Sequence, residues 1–174
     1  MTNRTLSGFT LAELLIALAI LAEIASFTIP KVLFAQQNGQ YNAMAKEAVS
    51  TVSAAFQQAQ ITTDSFSTIQ GSSLTQFINY VAIDTTSLLD AVPNDTVASY
   101  NCASYTCIKM HNGSIMVLTG SITGGVGQIS FAIDPNGYQG QKDSMIFYIL
   151  GNGRVTTPDA YLGTTTYTPS WFSW

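Results

Sequence analysis

Residues 9–29, FTLAELLIALAILAEIASFTI, contain only two charged side chains, Glu13 and Glu23. As a helix rising about 1.5 Å per residue, a segment of that length spans roughly 30 Å, the thickness of a bilayer's hydrocarbon core. Any fold proposed for the chain must first house this segment. Charged residues make up only 9% of the 174 and hydrophobic ones 47%, and the apolar excess is concentrated here. The length suits one domain with a sizeable core and hardly two.

The flanks of the segment show how it is handled. Arg4 precedes it, as orientation by positive charge requires. A secretory signal would be cut at a small-residue site beyond the apolar run and so lost. Here the far end is a poor cleavage site, since a cut after Ala25 puts Glu23 at the third position upstream. The small residue that stands out is Gly8, at the near end. A cut after Gly8 removes the leader MTNRTLSG and leaves the whole apolar helix on a mature chain that begins at Phe9.

The string GFTLAELLIALAILAEIASFTIP resembles the signal of type IV prepilins and type II secretion pseudopilins. The matching positions are Gly8 before the scissile bond, Phe9 as the first mature residue, Glu13 as the fifth and Pro30 as the twenty-second. The resemblance covers residues 6–35 and implies that a prepilin peptidase cleaves after Gly8 and N-methylates Phe9. It further implies that Glu13 of one subunit meets the free amine of an incoming one and sets the axial stagger of a filament. Two positions depart from the pattern: Ala22 stands where the family has Gly, and Glu23 has no counterpart.

A carboxylate inside hydrocarbon costs a few kcal/mol on insertion scales, so Glu13 calls for a partner or a function. It lies one helical turn after Phe9, on the same face. A buried ion pair roughly breaks even, whereas stranding one partner costs about 3–5 kcal/mol, so such a pair penalises a wrong register. Glu23 follows ten residues later, about 1000° of turn, which leaves the two carboxylates roughly 80° apart and unable to form one site. Two readings of Glu23 stand: a contact with a basic or hydroxyl group of a neighbouring subunit, or a protonated or partly hydrated surface residue.

Pro30 cannot donate a backbone hydrogen bond, which predicts a bend or local melting at the outer edge of the span. Beyond it the pattern turns one-sided. Tyr41, Met44, Ala45, Ala48, Val49, Val52, Ala55, Phe56 and Ala59 recur at helical spacing, with Gln36, Gln37, Lys46 and Glu47 opposite. A stripe of such small residues predicts a helix lying against a sheet. Short helices are expected over residues 72–81 and 86–91. Strands are expected over residues 106–110, 114–119, 128–133, 144–150 and 154–156, with turns at 111–113, 134–137 and 151–153. The expected class is α+β: one long N-terminal helix packed on a four- to five-stranded antiparallel sheet. It divides into a leader (1–8), a transmembrane and assembly helix (9–30) and a head outside the cytoplasm (31–174).

The head offers little chemistry. His111 is the only histidine and sits in a turn, and no nucleophile elbow, P-loop or dinucleotide pattern occurs. An enzyme is not expected, nor any cofactor or metal. Asp134, Asn136 and Asp143 are candidates for a calcium loop, since some pseudopilins bind calcium, but their spacing fails the EF-hand pattern. Cys102 and Cys107, with four residues between them, suit a small-loop disulfide outside the cytoplasm, with two free thiols as the alternative. From Gln60 onward seven Asp face Lys109, Lys142 and Arg154, an acidic balance that argues against broad nucleic-acid binding. The aromatic tail (Tyr161, Tyr167, Trp171, Phe172, Trp174) either folds back over the sheet or forms a contact surface.

The resemblance implies a minor pilin of a type IV pilus, with a secretion-system pseudopilin and a DNA-uptake competence pilin as alternatives. The implied partners are other pilin subunits, the prepilin peptidase, the inner-membrane assembly platform and, before assembly, the membrane itself. The implied location is the inner membrane, then a pilus or periplasmic filament.

Overall fold

A computed structural model describes residues 10–62, 67–86, 88–89, 100–136, 144–157 and 171–174. The chain divides into two units, the second beginning at Gln40. Helix α1 (Leu11–Thr62) runs through both. Its helical conformation passes Pro30 unbroken, so the local melting expected there is absent from the subunit. Ser26 and Thr28, just before the proline, turn their hydroxyls back onto the carbonyls of Glu23 and Ile24 at 2.8 and 3.0 Å. These bonds occupy the side chains within the helix instead of leaving them unpaired in an apolar setting.

In the second unit the helix buries Tyr41, Ala45, Ala48, Val52, Ala55, Phe56 and Ala59. This is the small-residue stripe read from the sequence, with Val49 at its margin. Among the described residues nine strands follow in chain order: β1 (Thr68–Gln70), β2 (Ala82–Asp84), β3 (Leu88–Leu89), β4 (Tyr100–Asn101), β5 (Cys107–Lys109), β6 (Ile115–Thr123), β7 (Val126–Asp134), β8 (Met145–Leu150) and β9 (Val155–Thr156). The main sheet has the order β2-β5-β6-β7-β8-β9, with β1 also paired to β6, and every pairing is antiparallel. The class is therefore α+β, with the short strands β1 and β2 added to the four or five expected.

Alternation along the strands gives the sheet two different faces. Met116, Leu118, Ile129, Phe131, Ile133, Met145, Phe147 and Ile149 join the helix stripe in the main core. Ala48 and Ala55 let the helix backbone approach this row of large side chains. On the opposite face Ile115, Val117, Ala132 and Ile146 form a smaller cluster with Cys102 and Cys107. The two cysteines are joined in a disulfide with a Cα–Cα distance of 5.4 Å.

Three local expectations need correction. Residues 86–91 were expected to be helical, but Leu88–Leu89 is strand, paired with Tyr100–Asn101. The Asp84 carboxylate accepts the Thr86 N–H at 2.8 Å in a turn that redirects the chain instead of starting a helix. The helix expected over 72–81 is a 3-10 helix, Gly71–Phe77, after which Ile78 is extended. Ser73 and Thr75 bond carbonyls three residues back, and Val81, beyond the 3-10 turn, is 57% exposed. Finally, β6 and β7 run past the expected ranges 114–119 and 128–133 and join through Gly124-Gly125, both at positive φ (57° and 78°). Such a two-residue turn matches the right-handed twist of the strands it connects.

The last four residues pack back onto the second unit. Phe172 is buried against Phe147, their ring centroids 5.3 Å apart, and Trp171 meets Tyr41 edge-on at 5.7 Å. The Asn42 amide donates to the Ser173 hydroxyl at 3.1 Å. Tyr161 and Tyr167 lie outside the described residues.

Candidate assembly site

Thirteen large apolar side chains between Leu11 and Phe34 are each more than half exposed, Leu11 at 78% and Phe27 at 69% among them. They leave no polar face over residues 11–34 apart from single positions such as Glu13 and Glu23. The helix is long and apolar enough to cross a membrane. Isolated surface hydrophobics need no explanation, but a continuous sheath of them requires lipid or other protein around it.

At its start the sheath carries an arrangement the sequence reading missed. The Glu13 carboxylate accepts from both the backbone N–H and the hydroxyl of Thr10, each at 2.8 Å. The Glu13 N–H in turn donates to the Thr10 hydroxyl at 3.3 Å. This is a reciprocal capping box, legible in hindsight as T-L-A-E at the head of an apolar run. It gives Glu13 hydrogen bonds within its own subunit, so the acid is satisfied at a helix N-terminus before any neighbour arrives.

Gly8 and Phe9 lie outside the described residues. Glu23 is exposed, and its carboxylate has no partner among the described residues. Pro30 is helical, with Lys31 directly after it. The structure thus brings Glu13 and Thr10 together and keeps Glu23 apart from them.

In the head, His111 is exposed in its turn, its ring nitrogen 3.4 Å from the Asn79 side-chain oxygen. The Asp134 carboxylate, buried, accepts the Asn136 N–H at 3.1 Å, while Asp143 lies outside the described residues. Among the described residues no three His, Cys, Asp or Glu side chains gather at metal-binding distance.

Residues 4–22 match the family described as the prokaryotic N-terminal methylation motif. No curated protein and no solved structure gave a match. A prepilin-type methylation motif leading into a long apolar helix, itself continued onto an antiparallel sheet, supports a type IV pilin-like or pseudopilin protein. That class of structural proteins takes in both pilins and pseudopilins. The motif implies processing by a prepilin peptidase and assembly with other pilins, and the apolar helix fits membrane anchoring beforehand.

Proposed function

We propose that the protein is a minor pilin of a type IV pilus-like filament, stored in the inner membrane and polymerised through its N-terminal helix. The observation that supports this best is the apolar sheath over Leu11 to Phe34, too extensive for water and suited in turn to lipid and to a bundle of like helices. Cleavage after Gly8 frees the amine of Phe9, which is then methylated. In the membrane Glu13 stays in its capping box with Thr10. During assembly it exchanges that partner for the Phe9 amine of the incoming subunit. A misregistered subunit strands both charges, which makes the pair a check on stagger rather than a source of adhesion.

The test is the Glu13→Ala variant, followed by immunoblot of sheared surface filaments and of membranes. Normal processing with strongly reduced incorporation is expected. Incorporation at the wild-type level would remove Glu13 from the assembly step. Loss of protein secretion without any surface fibre would move the protein to the pseudopilin branch.

A further inference from the structure

A cleft on the head, apart from the assembly helix, has the character of a ligand site. Strand β6 pairs with β7 along its whole length on one edge. Its other edge is shared: β5 takes Ile115–Val117 and β1 takes Ser121–Thr123. Residues 118–120 between them have no strand partner on that edge, and a cleft of about 350 Å³ opens there. Thr119 and Ser121, both lining it, alternate with Leu118 and Ile122 of the main core and so lie on the sheet face away from the helix. Gln70 and Ser72 form one wall, and the disulfide loop forms the other with Ser104, Tyr105 and Thr106.

That second wall is held rigidly. The Cys102–Cys107 bond closes the loop. Within it the N–H groups of Ser104 and Tyr105 both donate to the Asn101 carbonyl, at 2.9 and 3.0 Å. The Asn101 side-chain oxygen accepts the Ala103 N–H at 2.9 Å. At the foot of the first wall, Gly71 lies so close to Thr119 that an added Cβ would sit 2.8 Å from its backbone N and O.

The chemistry of the lining selects the ligand class. Among the described residues no charged side chain lines the cleft, so an anion or cation would meet no counter-charge from them. Among the described residues Leu118 is the sole large aliphatic one lining it and is itself buried, so a lipid tail would find little apolar floor there. The hydroxyls of Ser72, Ser104, Thr106, Thr119 and Ser121 make no hydrogen bond to another group among the described residues. Each both donates and accepts, as a sugar hydroxyl does, and Tyr105 adds an exposed aromatic ring at the rim. We infer that this cleft binds a neutral saccharide, with Tyr105 packing on the sugar ring and the Ser and Thr hydroxyls bonding its edges. The volume lies within the roughly 300–1,000 Å³ usual for small-ligand sites.

The experiment uses the full mature chain in a detergent without a sugar headgroup, applied to an array of neutral, sialylated and sulfated glycans. Affinity for the strongest ligand is then measured in solution for the wild type, Tyr105→Ala and Ser121→Arg, each verified as folded by its disulfide and near-ultraviolet circular dichroism. Saturable binding of a neutral glycan is expected, weakened by roughly tenfold or more in both variants, which is the effect of losing about 1.4 kcal/mol. Absence of saturable binding, unchanged affinity in both variants or a preference for sialylated or sulfated glycans would overturn the inference. None of these results bears on filament assembly, which uses other residues.

Discussion

The fold-back of the C-terminal residues can be tested by Phe172→Ala. Phe172 is only 7% exposed and sits edge-on to Phe147 and to Trp174, at 5.3 and 5.2 Å between ring centroids. A phenylalanine buries roughly 150–250 Å², which at about 25 cal/mol/Å² corresponds to about 4–6 kcal/mol as an upper bound. Alanine keeps part of that, and measured Phe→Ala changes in cores run about 3–5 kcal/mol. Where the surroundings partly collapse into the space the cost falls at the low end of that range, and we expect about 3 kcal/mol. For a chain of this size each kcal/mol lowers Tm by about 2–4 °C, so the midpoint falls by about 6–12 °C. The assay is thermal unfolding of the full chain in detergent, followed by near-ultraviolet circular dichroism. Trp174→Ala, at a side chain 64% exposed, is the control and should cost under about 1 kcal/mol. A Phe172→Ala melt indistinguishable from wild type, or one matched by the Trp174 control, would refute the packing argument.

Three further outcomes are expected. Gly71→Ala places a methyl against the Thr119 backbone, which cannot move aside as a flexible side chain would; it should cost about 1–3 kcal/mol, read as a lower denaturant midpoint. Replacing Cys102 and Cys107 together by Ser opens a loop with a sequence separation of 5; the loss should be about 2 kcal/mol on the loop-entropy account, with faster proteolysis within residues 102–107. Glu23→Gln should leave processing intact and lower filament yield if Glu23 meets a neighbour's basic or hydroxyl group; unchanged yield would assign it to the surface.

The parts of this fold that the sequence revealed are those governed by one dominant force. Periodic burial exposed the helix stripe from Tyr41 to Ala59, because a helix on a sheet must present one apolar face. Length and uniform apolarity did the same for the segment before Pro30. The reading failed where local propensity competes with pairing. Leu88–Leu89 follows hydroxyl-rich residues that suit a helix start, yet it has a strand partner at Tyr100–Asn101. Gly120 and Gly127 look like strand ends, whereas both lie inside the β6–β7 ladder at positive φ, facing backbone that leaves no room for a side chain. At the assembly site Glu13 was conspicuous because a carboxylate in an apolar run is costly. Thr10 was not, since its role depends on a three-residue spacing rather than on its own chemistry. The saccharide cleft was hidden altogether: its walls come from residues about 30 apart in sequence and meet only through the shared edge of β6.

The account rests on retention of the apolar helix in the assembled protein. Mass spectrometry of the N-terminal peptide from purified filaments measures this directly. A chain beginning at Phe9, carrying a methyl group on its amine and continuing through Glu13 to Pro30, is the predicted result. A chain that starts beyond Pro30, or that reaches the filament with residues 1–8 still attached, would contradict it.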